Sequence, residues 1–183
     1  MKGRYGRAYR YGFTLVEQLL VTLIVATITC LAVPAMGQLV RRSRLQVAQA
    51  NVMAALQATR GLAISSGQRA MICPSRDGLS CSKEVHWEGG WLVGRYRTDR
   101  ADQLDGAPTL VASDSPQLTI VSTAGRRAVR FQADGSAGGN NVSFTLCPAG
   151  RVDGALYVTV SNAGRIRGAQ ATAEQAKRCA NGD

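Results

Sequence analysis

The hydrophobic residues of this chain are unevenly spread. Residues 13–36 hold a single charged side chain, Glu17, in a run of Leu, Val, Ile, Ala and Thr. Drawn as an α-helix, such a run extends roughly 36 Å and so crosses a bilayer. Beyond Pro34 the pattern becomes one-sided. Leu45, Ala48, Val52, Leu56, Thr59 and Leu62 recur every three or four positions between Arg41, Arg42, Gln46, Gln49 and Gln57, which predicts that the same helix continues with one apolar stripe in need of a cover. Ser65-Ser66-Gly67 supplies its stop, because glycine is favoured just past a helix end. The remainder reads as short runs between Gly, Asp, Asn and Pro, predicting strands at 69–73, 91–97, 109–112, 117–122, 128–132, 141–147, 155–161 and 165–167. Ala133-Asp134-Gly135 and Asn162-Ala163-Gly164 read as hairpin turns. The Gly-rich stretch 135–141 reads as a connection, since it lacks the lysine and following helix of a phosphate cradle. The expected fold is α+β: a long N-terminal helix packed on an antiparallel β-sheet domain, with a membrane and assembly helix over 13–36, a stalk over 37–67 and a β-rich domain with a C-terminal tail over 68–183.

Composition narrows this picture. A chain of 183 residues with 45% hydrophobic content has room for one modest domain beside the anchor. With so much apolar material near the N-terminus, the remaining core is small and suits covalent staples. Of the five cysteines, Cys30 lies in the apolar run and four remain, which allow three pairings. The short gap around Pro74 and Gly78 favours Cys73–Cys81, leaving Cys147–Cys179 to tie the tail to the sheet. A zinc site is disfavoured, because there is no Cys-x2-Cys spacing and His86 is the only histidine. No nucleophile elbow, Walker loop or Cys-x-x-Cys pair is present, so the reading is of a protein that is not an enzyme and takes no cofactor. Trp87 and Trp91 read as core or rim packing of the sheet.

Glu17 is the anomaly of the apolar run. A carboxylate inside a membrane helix costs about 2.5–3.5 kcal/mol and is retained where it finds a partner. A cut after Gly12 would leave Phe13 with a free ammonium group, and side-by-side helices would set one subunit's Glu17 against the next subunit's N-terminus. Gly12-Phe13-Thr14-Leu15-Val16-Glu17, after the basic stretch Lys2, Arg4, Arg7 and Arg10, resembles the leader of type IV pilins and type II secretion pseudopilins. The resemblance implies that residues 1–12 are a cytoplasmic leader removed by a prepilin peptidase, that Phe13 is N-methylated, and that Glu17 governs assembly with other pilin subunits. It also implies an inner-membrane anchor with everything after about residue 38 in the periplasm. The flanking charges do not decide this orientation, because Arg41, Arg42 and Arg44 balance the leader. Pro34 falls where pilins often have a helix-bending proline.

The resemblance continues through the β-rich part. Cys73-Pro74 to Cys81, Trp87-Glu88-Gly89-Gly90-Trp91, Phe131-Gln132-Ala133-Asp134-Gly135 and Ser161-Asn162-Ala163-Gly164-Arg165-Ile166-Arg167 are similar, in order, to landmarks of the FimT/GspH family. Members used in natural transformation carry a C-terminal Gly-Arg-x-Arg motif that binds DNA, and Gly164-Arg165-Ile166-Arg167 matches it. In a strand, Arg165 and Arg167 share one face and Ile166 takes the other, so burying Ile166 presents two guanidinium forks to phosphate. Gly164 and Gly168 are expected to keep the approach open. Lys177 and Arg178 would extend the patch if Cys147–Cys179 folds the tail back, with Arg126, Arg127, Arg130 and Arg151 as further candidates. The charge distribution agrees: residues 121–183 carry eight Lys or Arg against four Asp or Glu, a balance of +4, while 67–120 carry six against seven. No aromatic interleaves the pair, so contacts to the backbone of DNA without sequence preference are expected. Arg95 and Arg97 are weaker candidates, being followed by Asp99, Asp102 and Asp105. Three readings share the anchor: a DNA-capturing minor pilin, a minor pilin that primes or caps the filament, and an H-type pseudopilin of type II secretion.

Overall fold

A computed structural model describes residues 12, 14–100, 103–112, 117–123, 125–139 and 141–182, side chains 31, 34, 35, 100 and 110–112 excepted. Phe13, residues 1–11 and Asp102 lie outside the described residues, and with them the leader and N-methylation expectations. Helix α1 spans Leu15–Ser66, Pro34 included. Thr14 opens it, its Oγ1 accepting the Glu17 backbone N–H at 3.3 Å. The chain divides into two compact units, Met1–Val40 and Arg41–Asp183.

In the first unit the helix exposes large apolar side chains, among them Leu19, Leu23, Ile24 and Ile28. Thr22, Thr27 and Thr29 donate their hydroxyls to carbonyls one turn earlier, so these polar groups are satisfied inside the helix. Among the described residues no helix is long and apolar enough to cross a membrane.

In the second unit the helix has one buried face. Leu45, Ala48, Val52, Ala55, Leu56, Thr59 and Ala63 are buried. The stripe thus ends on Ala63, and Leu62, expected within it, packs at the margin of the core. At 3.6 residues per turn, stepping on from Thr59 reaches Ala63 more squarely than Leu62. The Thr59 hydroxyl donates to the Ala55 carbonyl at 2.7 Å, which is what allows it into an apolar face.

Eight strands follow among the described residues: β1 Ala70–Pro74, β2 Trp91–Arg95, β3 Leu110–Ala112, β4 Leu118–Ser122, β5 Val129–Phe131, β6 Val142–Pro148, β7 Leu156–Val160 and β8 Ile166–Gln170. They form two four-stranded antiparallel sheets rather than one, ordered β3-β2-β1-β5 and β4-β6-β7-β8. Ile72, Val93 and Phe131 from the first sheet and Ile120, Phe144 and Val158 from the second share one cluster with the α1 stripe. Trp87 sits edge-on to Phe144 with ring centroids 5.0 Å apart, and both Trp87 and Trp91 are buried.

The two-sheet division changes the meaning of one turn. Ala133-Asp134-Gly135 is tight, with Gln132 N–H donating to the Ser136 carbonyl, but it leads from β5 in one sheet towards β6 in the other and is no hairpin. The tail differs from expectation too. It forms helix α2, Ala173–Asn181, opened by a reciprocal capping box between Thr172 and Gln175 and closed by Gly182 in the left-handed region.

Candidate nucleic-acid interface

The hairpin joining β7 to β8 builds the site. Val160 pairs with Ile166 and Thr159 with Arg167, and the turn closes with Gly164 N–H donating to the Ser161 carbonyl and Ser161 N–H to the Arg165 carbonyl. Ile166 packs on the central cluster while Arg165 and Arg167 are exposed. Pairing with Thr159 puts Arg167 on the sheet face turned away from that cluster, and the two-residue spacing puts Arg165 there as well. Both arginines are thus exposed and leave the backbone on the side away from the cluster, Arg165 from the turn and Arg167 from β8.

The two glycines serve packing. Gly164 is buried with φ +73°, and a Cβ there would collide with the Gly135 carbonyl oxygen. That oxygen also accepts from Arg60 Nε at 2.9 Å, and Ala137 N–H donates to the Asn162 carbonyl. The family-like glycine thus locks the hairpin against the 133–137 turn and does not itself offer a contact surface. At Gly168 a Cβ would lie 2.9 Å from Gln49 and Met53 of α1, so its smallness lets helix and sheet meet, not ligand and sheet.

Lys177 and Arg178 stand exposed on α2. The Cys147–Cys179 disulfide, with Cα atoms 6.2 Å apart, holds that helix on β6, where Ala155, Ala176 and Cys179 are buried together. Cys147, Thr145, Ser143, Tyr157, Thr159 and Arg167 alternate onto one face, so α2 and the arginine pair share it. Arg178 borders a groove over Ser143, which is in the cross-strand row of Arg167, and over Thr145 and Tyr157 in the next row. It pairs with Glu174 at 3.6 Å, a solvent-exposed contact. The groove adds polar groups that lie far from Arg165 in sequence: Tyr157, whose hydroxyl donates to Ser143 Oγ at 2.5 Å, and Gln175 at the head of α2. Their signals are the alternation of β7 and the Thr172-x-x-Gln175 capping pattern.

The other candidate arginines lie elsewhere. Arg151 pairs with Asp153 at 3.5 Å in the β6–β7 turn, at the opposite end of β7 from Arg165. Arg127 and Arg130 line a pocket beside the Cys73–Cys81 disulfide, at the β1–β2–β5 sheet. Arg126 is half-buried and its carbonyl accepts from Ser122 Oγ. Arg95 and Arg97 are both exposed, and Arg97 is paired with Asp99 at 3.1 Å. Among the described residues, Glu17 is exposed and no cation pairs with it, and no cluster of metal-ligating side chains occurs.

In the second unit the helix stretch from Leu45 to Ala63 packs with two antiparallel sheets, a type IV pilin-like fold. The family model described as Type II transport protein GspH matches residues 48–164, from the α1 stripe to the hairpin glycine. The chain belongs to this GspH/FimT family of type IV minor pilins and pseudopilins. Among solved structures it is similar to the type IV minor pilin FimU of Pseudomonas aeruginosa, with 24% identity, a TM-score of 0.57, and 73% of this chain and 92% of that one covered. It is also similar in fold to the minor pseudopilin EpsH from the Type 2 Secretion System of Vibrio cholerae, with 15% identity, a TM-score of 0.50, and 69% and 97% covered. A search of curated proteins finds no match.

Proposed function

We propose that this minor pilin binds DNA without sequence preference through the Arg165–Arg167 hairpin and serves DNA uptake in natural transformation. The observation that carries the reading is the pair of exposed arginines on one sheet face, held in register by a packed Ile166 and a turn that tolerates only glycine. Arginine's planar fork matches phosphate oxygens, and the hairpin backbone sets where both side chains leave the sheet, which lowers part of the ordering cost of binding. Lys177 and Arg178 extend the positive field along the same face. The chain is anchored by 13–36 in the inner membrane after a prepilin peptidase removes 1–12 and the new Phe13 is methylated. Glu17 then pairs with a neighbouring subunit's N-terminus, its carboxylate being exposed and without a cation among the described residues. The globular part is periplasmic before assembly into a pilus, where the Cys73–Cys81 and Cys147–Cys179 disulfides persist.

The test is an electrophoretic mobility shift of the detergent-purified chain with duplex DNA at rising salt. Each phosphate contact contributes about −0.9 to the log–log salt slope, so Arg165→Gln/Arg167→Gln should flatten it by about 2 units and weaken binding at low salt. If the wild type shifts no DNA at low salt, the reading fails. A second reading, a pseudopilin of type II secretion, is favoured by the name of the matching family and by the likeness to EpsH. Deleting the gene separates the two, since loss of transformation marks the first and loss of protein secretion the second.

A further inference from the structure

A second cationic site lies at the other sheet. Lys83, Arg127 and Arg130 line a cavity of about 160 Å³ together with Ser82, Ala128 and the Cys73–Cys81 disulfide. The cations arrive from different parts of the chain, and each arrives on a fixed stretch of backbone. Lys83 follows Ser82, whose N–H donates to the Pro74 carbonyl at 2.7 Å just beyond the disulfide. Arg127 follows Arg126, whose N–H donates to the Thr123 carbonyl and whose carbonyl accepts from Ser122 Oγ. Arg130 is placed by the pairing of β5 with β1 opposite Met71, and its guanidinium stands 5.9 Å from the Tyr96 ring centre.

Two features make this more than a solvated charge cluster. No Asp or Glu is among the described residues lining the cavity. Among the described residues, the two acids flanking the disulfide are engaged elsewhere: Glu84 accepts from both Nε and Nη2 of Arg76, at 3.0 and 2.8 Å, and Asp77 accepts from Ser75, Leu79 and Ser80 inside the disulfide loop. Those bonds, chiefly from the Ser80 backbone N–H and then its hydroxyl, hold the Asp77 carboxyl far below the usual carboxylate range. In addition, the Ser82 hydroxyl is buried and has no partner among the described residues. A buried hydroxyl without a partner is costly, and Ser82 lines the cavity, where an anion brought close could accept from it.

We infer that this pocket binds a phosphate group, with Lys83 and Arg127 supplying charge and the Ser82 hydroxyl a directed hydrogen bond. The cavity lies below the roughly 300–1,000 Å³ of sites for drug-sized ligands, and so it takes a compact tetrahedral oxyanion. That anion is either free phosphate or one phosphodiester of a nucleic-acid strand. The pocket lies at the opposite sheet from the Arg165 hairpin, so either site can fail while the other stands.

The experiment follows thermal unfolding of the full chain in detergent as inorganic phosphate is added, against chloride at matched ionic strength. A ligand that binds only the folded state raises the midpoint with concentration. Phosphate also stabilises proteins by exclusion from their surface, so Lys83→Gln/Arg127→Gln, both at exposed positions, sets the baseline. The wild type should rise above this variant, Ser82→Ala should bind about tenfold more weakly for the loss of one charge-assisted bond, and Arg165→Gln/Arg167→Gln should respond as wild type. Near-UV circular dichroism confirms that each variant is folded. An identical response in wild type and a folded Lys83→Gln/Arg127→Gln overturns the proposal. Given a positive response, titration with a short labelled oligonucleotide identifies the source: weaker binding by the pocket variant assigns the phosphate to a nucleic-acid strand, and unchanged binding assigns it to free phosphate.

Discussion

The arginine hairpin and the disulfide-side pocket gather positive charge in opposite ways. At the hairpin, Arg165 and Arg167 are neighbours in sequence and need only an extended backbone and a buried Ile166 to share a face. At the pocket, Lys83 and Arg127 are brought together by a disulfide, two fixed turns and the register of β5 against β1. The first arrangement is a property of a strand, and the second a property of the fold. Damage to tertiary structure should therefore reach the pocket through any of several connections, whereas the hairpin depends on its turn and on the face it shares with α2.

The largest effect expected comes from Cys147→Ser/Cys179→Ser. The bridge closes a separation of 32 residues, and on the loop-entropy estimate its loss costs about 4 kcal/mol. Chemical denaturation should show that drop, and with α2 released the hairpin face should lose the contribution of Lys177 and Arg178 to DNA affinity while the pocket keeps its phosphate response. Gly164→Ala comes next, at about 3 kcal/mol, from a positive φ unsuited to alanine together with the collision at Gly135. It should weaken DNA binding without touching either arginine; an unchanged midpoint and affinity would mean that the turn is not what positions them. The Cys73–Cys81 bridge closes a separation of only 8 residues, and Cys73→Ser/Cys81→Ser should cost about 2.5 kcal/mol. Its signature is the reverse of the first: the phosphate response goes and the DNA salt slope stays.

How far the sequence announced each region follows from the same distinction. The helix stripe from Leu45 to Thr59, the eight strand positions and the alternation of Arg165, Ile166 and Arg167 are local periodicities, and a period of 3.6 or 2 can be read without knowing any partner. The split into two sheets is not local, because nothing in Ala133-Asp134-Gly135 records which sheet receives the next strand. Helix α2 was signalled by Thr172 and Gln175, but its nine residues give too short a pattern to stand out beside the cysteine. Gly164 and Gly168 give room to the Gly135 carbonyl and to Gln49 and Met53, which is not local information, since a sequence shows that a side chain is missing and not which neighbour fills the space. Tyr157 and Ser143 joined the hairpin face through strand pairing, and Lys83 with Arg127 through a disulfide, so neither set was visible around the motif itself.

The smallest effect expected concerns the loop inside Cys73–Cys81, and it asks whether the disulfide alone shapes the pocket wall. Asp77 accepts the Leu79 and Ser80 amides and two serine hydroxyls, which holds its folded-state pKa below the unfolded value of about 3.9. A depressed carboxylate stabilises the fold above its unfolded pKa, and that contribution is lost as pH falls through the folded one. The loop should therefore hold from neutral pH down to about pH 4 and loosen progressively below it. Asp77 is fully exposed, so the global denaturation midpoint should scarcely move. Amide resonances of Leu79 and Ser80 should report the change, drifting toward random-coil positions in acid for the wild type. In Asp77→Asn they should already be displaced at neutral pH and stay flat as pH falls. Phosphate affinity in that variant then separates two cases: a decrease means that the carboxylate's hydrogen bonds help to aim Lys83, and no decrease means that the disulfide and the Ser82–Pro74 bond suffice.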